Sequence, residues 1–115
     1  MTGLKGLRVL IVEDEMLIAM DLEAVISGWG AEVLGPVPNI DRALALLSEQ
    51  RPDVATLDMN LSGVSSLPLA EEFAARKIPF VVVSGYSAAD HLTNRFVKKP
   101  YDEGVLRQAL EDVLL

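Results

Sequence analysis

The sequence predicts an α/β domain built on a doubly wound parallel sheet, and three observations predict it. Short runs of apolar, largely β-branched residues recur along the chain. They are continuous rather than alternating, as in strands covered on both faces. They alternate with segments of helical periodicity, the pattern of successive β/α units. The polar residues that close the runs are chemically matched to one another, and in open α/β sheets that edge is where ligands bind.

Taken in order, Arg8–Val12 (RVLIV) is the first strand, ending in Glu13-Asp14-Glu15. Ile18, Leu22, Val25, Ile26 and Trp29 then form one helical face, with Gly28 and Gly30 as stop signals. Trp29 and the Met16/Met20 pair read as helix packing. Glu32–Gly35 is a short second strand closed by Pro36 and Pro38. Asn39 caps a helix that carries Ala43, Leu44 and Leu47 inward and ends before Pro52. Val54–Leu57 is a third strand delivering Asp58, followed by a loop over Asn60–Gly63 and a helix over Pro68–Arg76 with proline in its first turn. Phe80–Val83 (FVVV) is the segment with the strongest β character and ends at Ser84-Gly85. Gly85–Asn94 has little periodicity, so a fourth helix there is shortened or absent. Arg95–Val97 leads to Lys98-Lys99-Pro100, and Asp102 caps a last helix with the stripe Val105, Leu106, Ala109, Leu110 and Val113.

Bulk composition narrows the chemistry. A chain of 115 residues accommodates one domain. A net charge of −7 argues against binding a nucleic-acid backbone. The absence of cysteine excludes thiolate metal sites, disulfides and cysteine nucleophiles. No apolar run approaches the roughly 20 residues needed to span a bilayer, and the N-terminus is too short and polar for a signal peptide. A cytoplasmic protein is expected. No dinucleotide or P-loop motif occurs, and the single histidine, His91, offers no triad.

The strand ends carry Glu13 and Asp14, Asp58, Ser84 and Lys99: three carboxylates, a hydroxyl and an ammonium on one edge. Singly, each has an ordinary reading: helix-terminal acids, a turn aspartate, a turn serine, a solvated lysine pair. Together they point to a cation held by oxygen ligands, with Mg²⁺ the best fit and Mn²⁺ the alternative. A carboxylate in such a site can attack phosphorus, with Lys99 and Ser84 contacting phosphoryl oxygens.

With "VLIVEDE" at 9–15, "DVATLDMNLSG" at 53–63, "VVVSGYS" at 81–87 and "KKP" at 98–100, the sequence resembles the receiver domain of two-component response regulators over essentially its whole length. The resemblance implies a flavodoxin-like (βα)5 fold with strand order 2-1-3-4-5. It implies Asp58 as phosphoacceptor, Asp14 as direct Mg²⁺ ligand, Glu13 acting through a metal-bound water, and the Asn60 main-chain carbonyl as a further ligand. Ser84 matches the hydroxyl switch residue, Lys99 the lysine before the proline, and Phe96 the aromatic that swings inward. Ser62 stands where many receivers have proline. "SSLPLAEEFAARKIPFVVVSGYS" at 65–87 resembles the stand-alone alphaproteobacterial receivers whose fourth strand reads Phe-Ala-Thr-Gly-x-Tyr, with Val82-Val83-Ser84-Gly85 replacing the usual Ala-Thr-Gly core.

The expected function is that of a single-domain response regulator without an output domain. It would take phosphate from a sensor histidine kinase or phosphotransfer protein and act by contact with a downstream protein or as a phosphate sink. It would not be a conventional enzyme, although self-catalysed phosphotransfer and autodephosphorylation are expected. Two competing readings are a phosphorylation-independent adaptor using the fold as a docking surface, and a flavodoxin-like ligand binder. The lack of a phosphate-cradling first loop counts against the latter.

Overall fold

Five strands pair in parallel in the computed structural model, which describes residues 3–85 and 96–114. In chain order the elements are β1 (Arg8–Val12), α1 (Met16–Gly28), β2 (Glu32–Val37), α2 (Ile40–Leu47), β3 (Val54–Leu57), β4 (Asn60–Leu61), β5 (Val64–Ser65), α3 (Leu67–Ala75), β6 (Phe80–Ser84), β7 (Phe96–Lys98) and α4 (Glu103–Val113). The main sheet runs β2-β1-β3-β6-β7, the expected 2-1-3-4-5 order of a doubly wound fold once the short β4–β5 hairpin is set aside.

Because side chains alternate across a strand, each apolar run feeds two cores. Leu10, Val12, Ala55, Leu57, Phe80 and Val82 face α2 and α3, packing with Ala43, Leu47, Leu69, Ala70 and Phe73. Val9, Ile11, Val54, Val81, Val83 and Val97 face α1 and α4, packing with Leu22, Ile26, Leu106, Ala109 and Leu110. This double coverage explains why the inner strands β1, β3 and β6 are apolar on both faces, with polar residues confined to Arg8, Thr56 and Ser84. Asn39 and Asp102 cap their helices as expected, accepting from the Arg42 and Val105 amides at 2.8 and 3.0 Å. No helix among the described residues is long and apolar enough to cross a membrane.

Several details differ from the sequence expectation. The second strand runs through Pro36 to Val37 instead of closing at Gly35. As an edge strand, β2 can carry a proline without losing a sheet donor. Its register shifts between Leu10 and Val12, with Gly35 at φ +87°. The stretch expected as loop over Asn60–Gly63 forms an antiparallel hairpin, Asn60 opposite Ser65 and Leu61 opposite Val64. Ser62 and Gly63 turn it with φ of 55° and 84°, the two positive values of a type I′ turn.

Leu44 and Val105, assigned to inward stripes, are partly exposed, because Ala43 and Leu106 take the contact. Met16 and Met20 are 74% and 58% exposed rather than packed. They lie beside Leu17 on the solvent side of α1, whose buried side is Ala19, Leu22 and Ile26. The segment in which a shortened fourth helix was expected, with His91, lies outside the described residues.

Candidate metal and phosphoacceptor centre

The site is assembled where the sheet ladder ends. The Asp58 amide donates to the Val12 carbonyl at 3.1 Å and the Glu13 amide to the Val37 carbonyl at 3.0 Å. Each carboxylate therefore emerges one residue beyond its strand, still held by the sheet. On the other side, the Lys99 amide donates to the Ser84 carbonyl at 3.0 Å, extending the β6–β7 pairing and fixing where the lysine begins.

Carboxylate oxygens of Glu13, Asp14 and Asp58 lie within 4.8 Å of one another. Lys99 Nζ reaches into the cluster, 2.7 Å from Glu13 Oε1 and 2.8 Å from Asp58 Oδ2, with Glu15 Oε1 at 3.7 Å. The Asp58 Oδ1 atom accepts the Asn60 amide at 3.0 Å. Below it, the buried Ser66 hydroxyl donates to the Asp58 carbonyl at 2.6 Å, tying the start of α3 to the end of β3. Asp14, at the rim, accepts the Ser62 hydroxyl at 2.7 Å. A cleft of about 410 Å³ opens over the group, lined by Asp14, Glu15, Asp58, Asn60, Ser62, Gly85 and Lys99.

Burial raises the Glu13 carboxyl above its ordinary range; the Lys99 and Glu15 N–H bonds oppose this and the Asp58 charge adds to it. Burial pushes the Lys99 ammonium down, but its bonds to Asp58 and Glu13 outweigh that and hold it above the usual lysine value. Lys99 is therefore a fixed positive charge.

The donor set fits a hard divalent cation. It consists of oxygens alone, and three carboxylates against one ammonium leave two negative charges for an M²⁺ ion to neutralise. The partly open cleft leaves room for water and a phosphoryl group beside the carboxylates.

Of the residues singled out from sequence, the structure gathers Asp14, Asp58, Asn60 and Lys99 around one cleft, with the buried Glu13 outside its lining but ion-paired to Lys99 and clustered with the two aspartates. Ser84 ends β6 at the same sheet edge, fully buried and outside the cleft lining, although its neighbour Gly85 contributes. Phe96, on β7, packs half-buried against the α2/α3 core. Sequence reasoning missed the contacts of Ser62, Ser66 and Glu15. For Ser62 the signal was the Ser-Gly pair, which suits a tight hairpin turn.

A sequence model of the response regulator receiver domain matches residues 9–111. The sensory transduction protein LytT of Bacillus subtilis is 30% identical over 113 residues, 91% of this chain and 47% of LytT. The phyllosphere-induced regulator PhyR of Methylorubrum extorquens is 36% identical over 82 residues, 69% of this chain and 31% of PhyR. The chain thus spans about half or less of the length of these curated relatives. Among solved structures, SdrG from Sphingomonas melonis Fr1 superposes with a TM-score of 0.83 at 38% identity, covering 100% of both chains. The receiver domain of Erythrobacter litoralis PhyR gives 0.85 at 25% identity, covering 96% of this chain and 91% of that one. By its fold, its acidic edge and these matches, the chain belongs to the response regulator receiver domain family.

Proposed function

We propose that the chain is a single-domain response regulator that accepts a phosphoryl group on Asp58 from the phosphohistidine of a sensor kinase or phosphotransfer protein. The observation that carries this is the setting of the Asp58 carboxylate. One oxygen is held by the Asn60 amide and the other by the Lys99 ammonium, at the floor of a cleft open to a donor. An Asp58 oxygen attacks phosphorus; the O–P bond forms as the P–N bond breaks, and the electron pair leaves on the imidazole nitrogen. The Asn60 and Lys99 contacts fix the carboxylate in place, so the reactants meet without a conformational search. Lys99 then follows the negative charge from the carboxylate onto a phosphoryl oxygen.

Mg²⁺, held by Asp14, Asp58, the Asn60 carbonyl and, through water, Glu13, would supply charge neutralisation for the phosphoryl oxygens. The Ser84 hydroxyl offers a hydrogen bond to the phosphorylated state, and Phe96, packed against the α2/α3 core, is the side chain through which that bond would be read. The protein would act in the cytoplasm, by contact with a downstream protein or by draining phosphate from its kinase.

Intact-mass measurement after incubation with Mg²⁺ and acetyl phosphate tests it. Wild type should gain one phosphoryl group and Asp58→Ala none. An unmodified wild type, together with partner affinity unchanged by beryllofluoride and Mg²⁺, would instead favour a phosphorylation-independent adaptor.

A further inference from the structure

The β4–β5 hairpin follows the acceptor directly, and its turn residue reaches back across the cleft. Ser62 is 48 residues from Asp14 in sequence, yet its hydroxyl lies 2.7 Å from Asp14 Oδ2. A carboxylate only accepts, so the serine donates. The backbone conformation there is unusual for serine: φ is 55°, in a turn position that favours asparagine, aspartate or glycine. A residue held in this left-handed region against its preference needs a reason, and here the hydroxyl supplies one.

The hairpin is itself anchored to the site. The Asn60 side chain accepts the Gly63 amide at 2.8 Å while its own amide donates to Asp58. The Ser66 amide donates to the Met59 carbonyl at 2.9 Å, closing the base of the hairpin. Ser62 is therefore carried on a short rigid element whose two ends are tied to Asp58 and its neighbour. Asp14, in contrast, is half-exposed at the rim, and Ser62 makes its one side-chain hydrogen bond among the described residues. Without that bond the carboxylate would sample other rotamers.

We propose that Ser62 is a positioning residue for cation binding: from the β4–β5 hairpin its hydroxyl fixes the Asp14 carboxylate in the orientation that closes the acidic cluster. The inference rests on the phosphoacceptor reading and deepens it, adding a residue outside the metal's own ligands. Groups that orient a metal ligand commonly change metal affinity by roughly 10–100-fold. For a rim carboxylate the low end applies, about tenfold.

The test is a Mg²⁺ titration of the full chain by calorimetry, with thermal melts in Mg²⁺-free buffer alongside. Ser62→Gly removes the hydroxyl and relieves the left-handed backbone, so it should melt at the wild-type temperature or above while binding Mg²⁺ about tenfold more weakly. Ser62→Ala should lose the same affinity. Phosphorylation of both variants by acetyl phosphate should be slow at low Mg²⁺ and recover at saturating Mg²⁺, a rescue that a merely structural role would not produce. Wild-type affinity in either variant, or a defect that saturating Mg²⁺ leaves in place, would overturn the proposal. Failure of wild type itself to bind Mg²⁺ would overturn the phosphoacceptor reading, and this inference with it.

Discussion

Replacing Lys99 by methionine keeps most of the side-chain volume and removes the one positive charge that the described structure places inside the acidic cluster. Glu13 and Asp58, with side chains 1% and 6% exposed, then face each other without a counter-charge. With carboxylate oxygens within 4.8 Å of each other and an effective dielectric of about 20, the two groups repel by at least about 3.5 kcal/mol. Removing one partner of a buried ion pair costs roughly 3–5 kcal/mol, and a cleft open to water favours the lower end, about 3 kcal/mol. With a urea m-value of about 1.5 kcal/mol/M, the midpoint should fall by about 2 M at neutral pH in Mg²⁺-free buffer.

Trp29 is the chain's one tryptophan and packs against the α1/α4 core, so its fluorescence reports the transition. The loss should depend on pH. The Glu13 carboxyl is already raised by burial, and losing Lys99 raises it further. A folded-state pKa above the unfolded one gives a stability term that is fully favourable below the unfolded carboxylate range and is lost as pH rises through the folded value. The gap between variant and wild type should therefore narrow as pH falls toward 4, and it should also narrow when Mg²⁺ is added. A loss below about 1 kcal/mol, or one independent of both pH and Mg²⁺, would refute the idea that Lys99 holds the cluster together.

Gly35→Ala should destabilise by about 1–3 kcal/mol in thermal melts. The residue sits at φ +87°, and an added Cβ would lie 2.8 Å from the Val37 amide nitrogen and 3.2 Å from the Ile11 carbonyl oxygen. Ser66→Ala should cost about 1–3 kcal/mol in urea unfolding, because it takes the side-chain donor from the buried Asp58 carbonyl. Tyr101 should titrate well above an ordinary phenol, since burial and then the Asp21 carboxylate that accepts its hydroxyl both disfavour the anion. Its stabilising contribution is present below the unfolded phenol value of about 10 and is lost as pH rises through the folded one. Ultraviolet titration should show one of the two tyrosines titrating late, and Tyr101→Phe should remove that phase.

The fold was largely legible because its signals are local. Runs such as VLIV at 9–12 and FVVV at 80–83 are apolar throughout, and only strands buried on both faces need that. Asn39 and Asp102 are caps by residue type and position, and both perform that role. Helix faces were harder to read. α1 is apolar on most sides, so Met16 and Met20, off the face that carries Leu22 and Ile26, also read as packing residues although they are exposed. The hairpin was missed because it spans six residues and only Ser62-Gly63 marks its turn.

For the site, the strand-end rule brought Glu13, Asp14, Asp58, Ser84 and Lys99 to one edge. That rule could not show which partners they choose. Lys99 was expected to meet phosphate, and the structure holds it between Glu13 and Asp58. The Ser62–Asp14 bond joins residues 48 apart and exists only once the hairpin has folded over the cleft.

The acceptor can be located chemically. After incubation with Mg²⁺ and acetyl phosphate, borohydride reduces an acyl phosphate to an alcohol, and peptide mass spectrometry then identifies the residue reduced. The phosphoacceptor reading predicts reduction at position 58 alone, abolished in Asp58→Ala. Reduction at Glu13 or Asp14, or none in a wild-type chain that binds Mg²⁺, would contradict it.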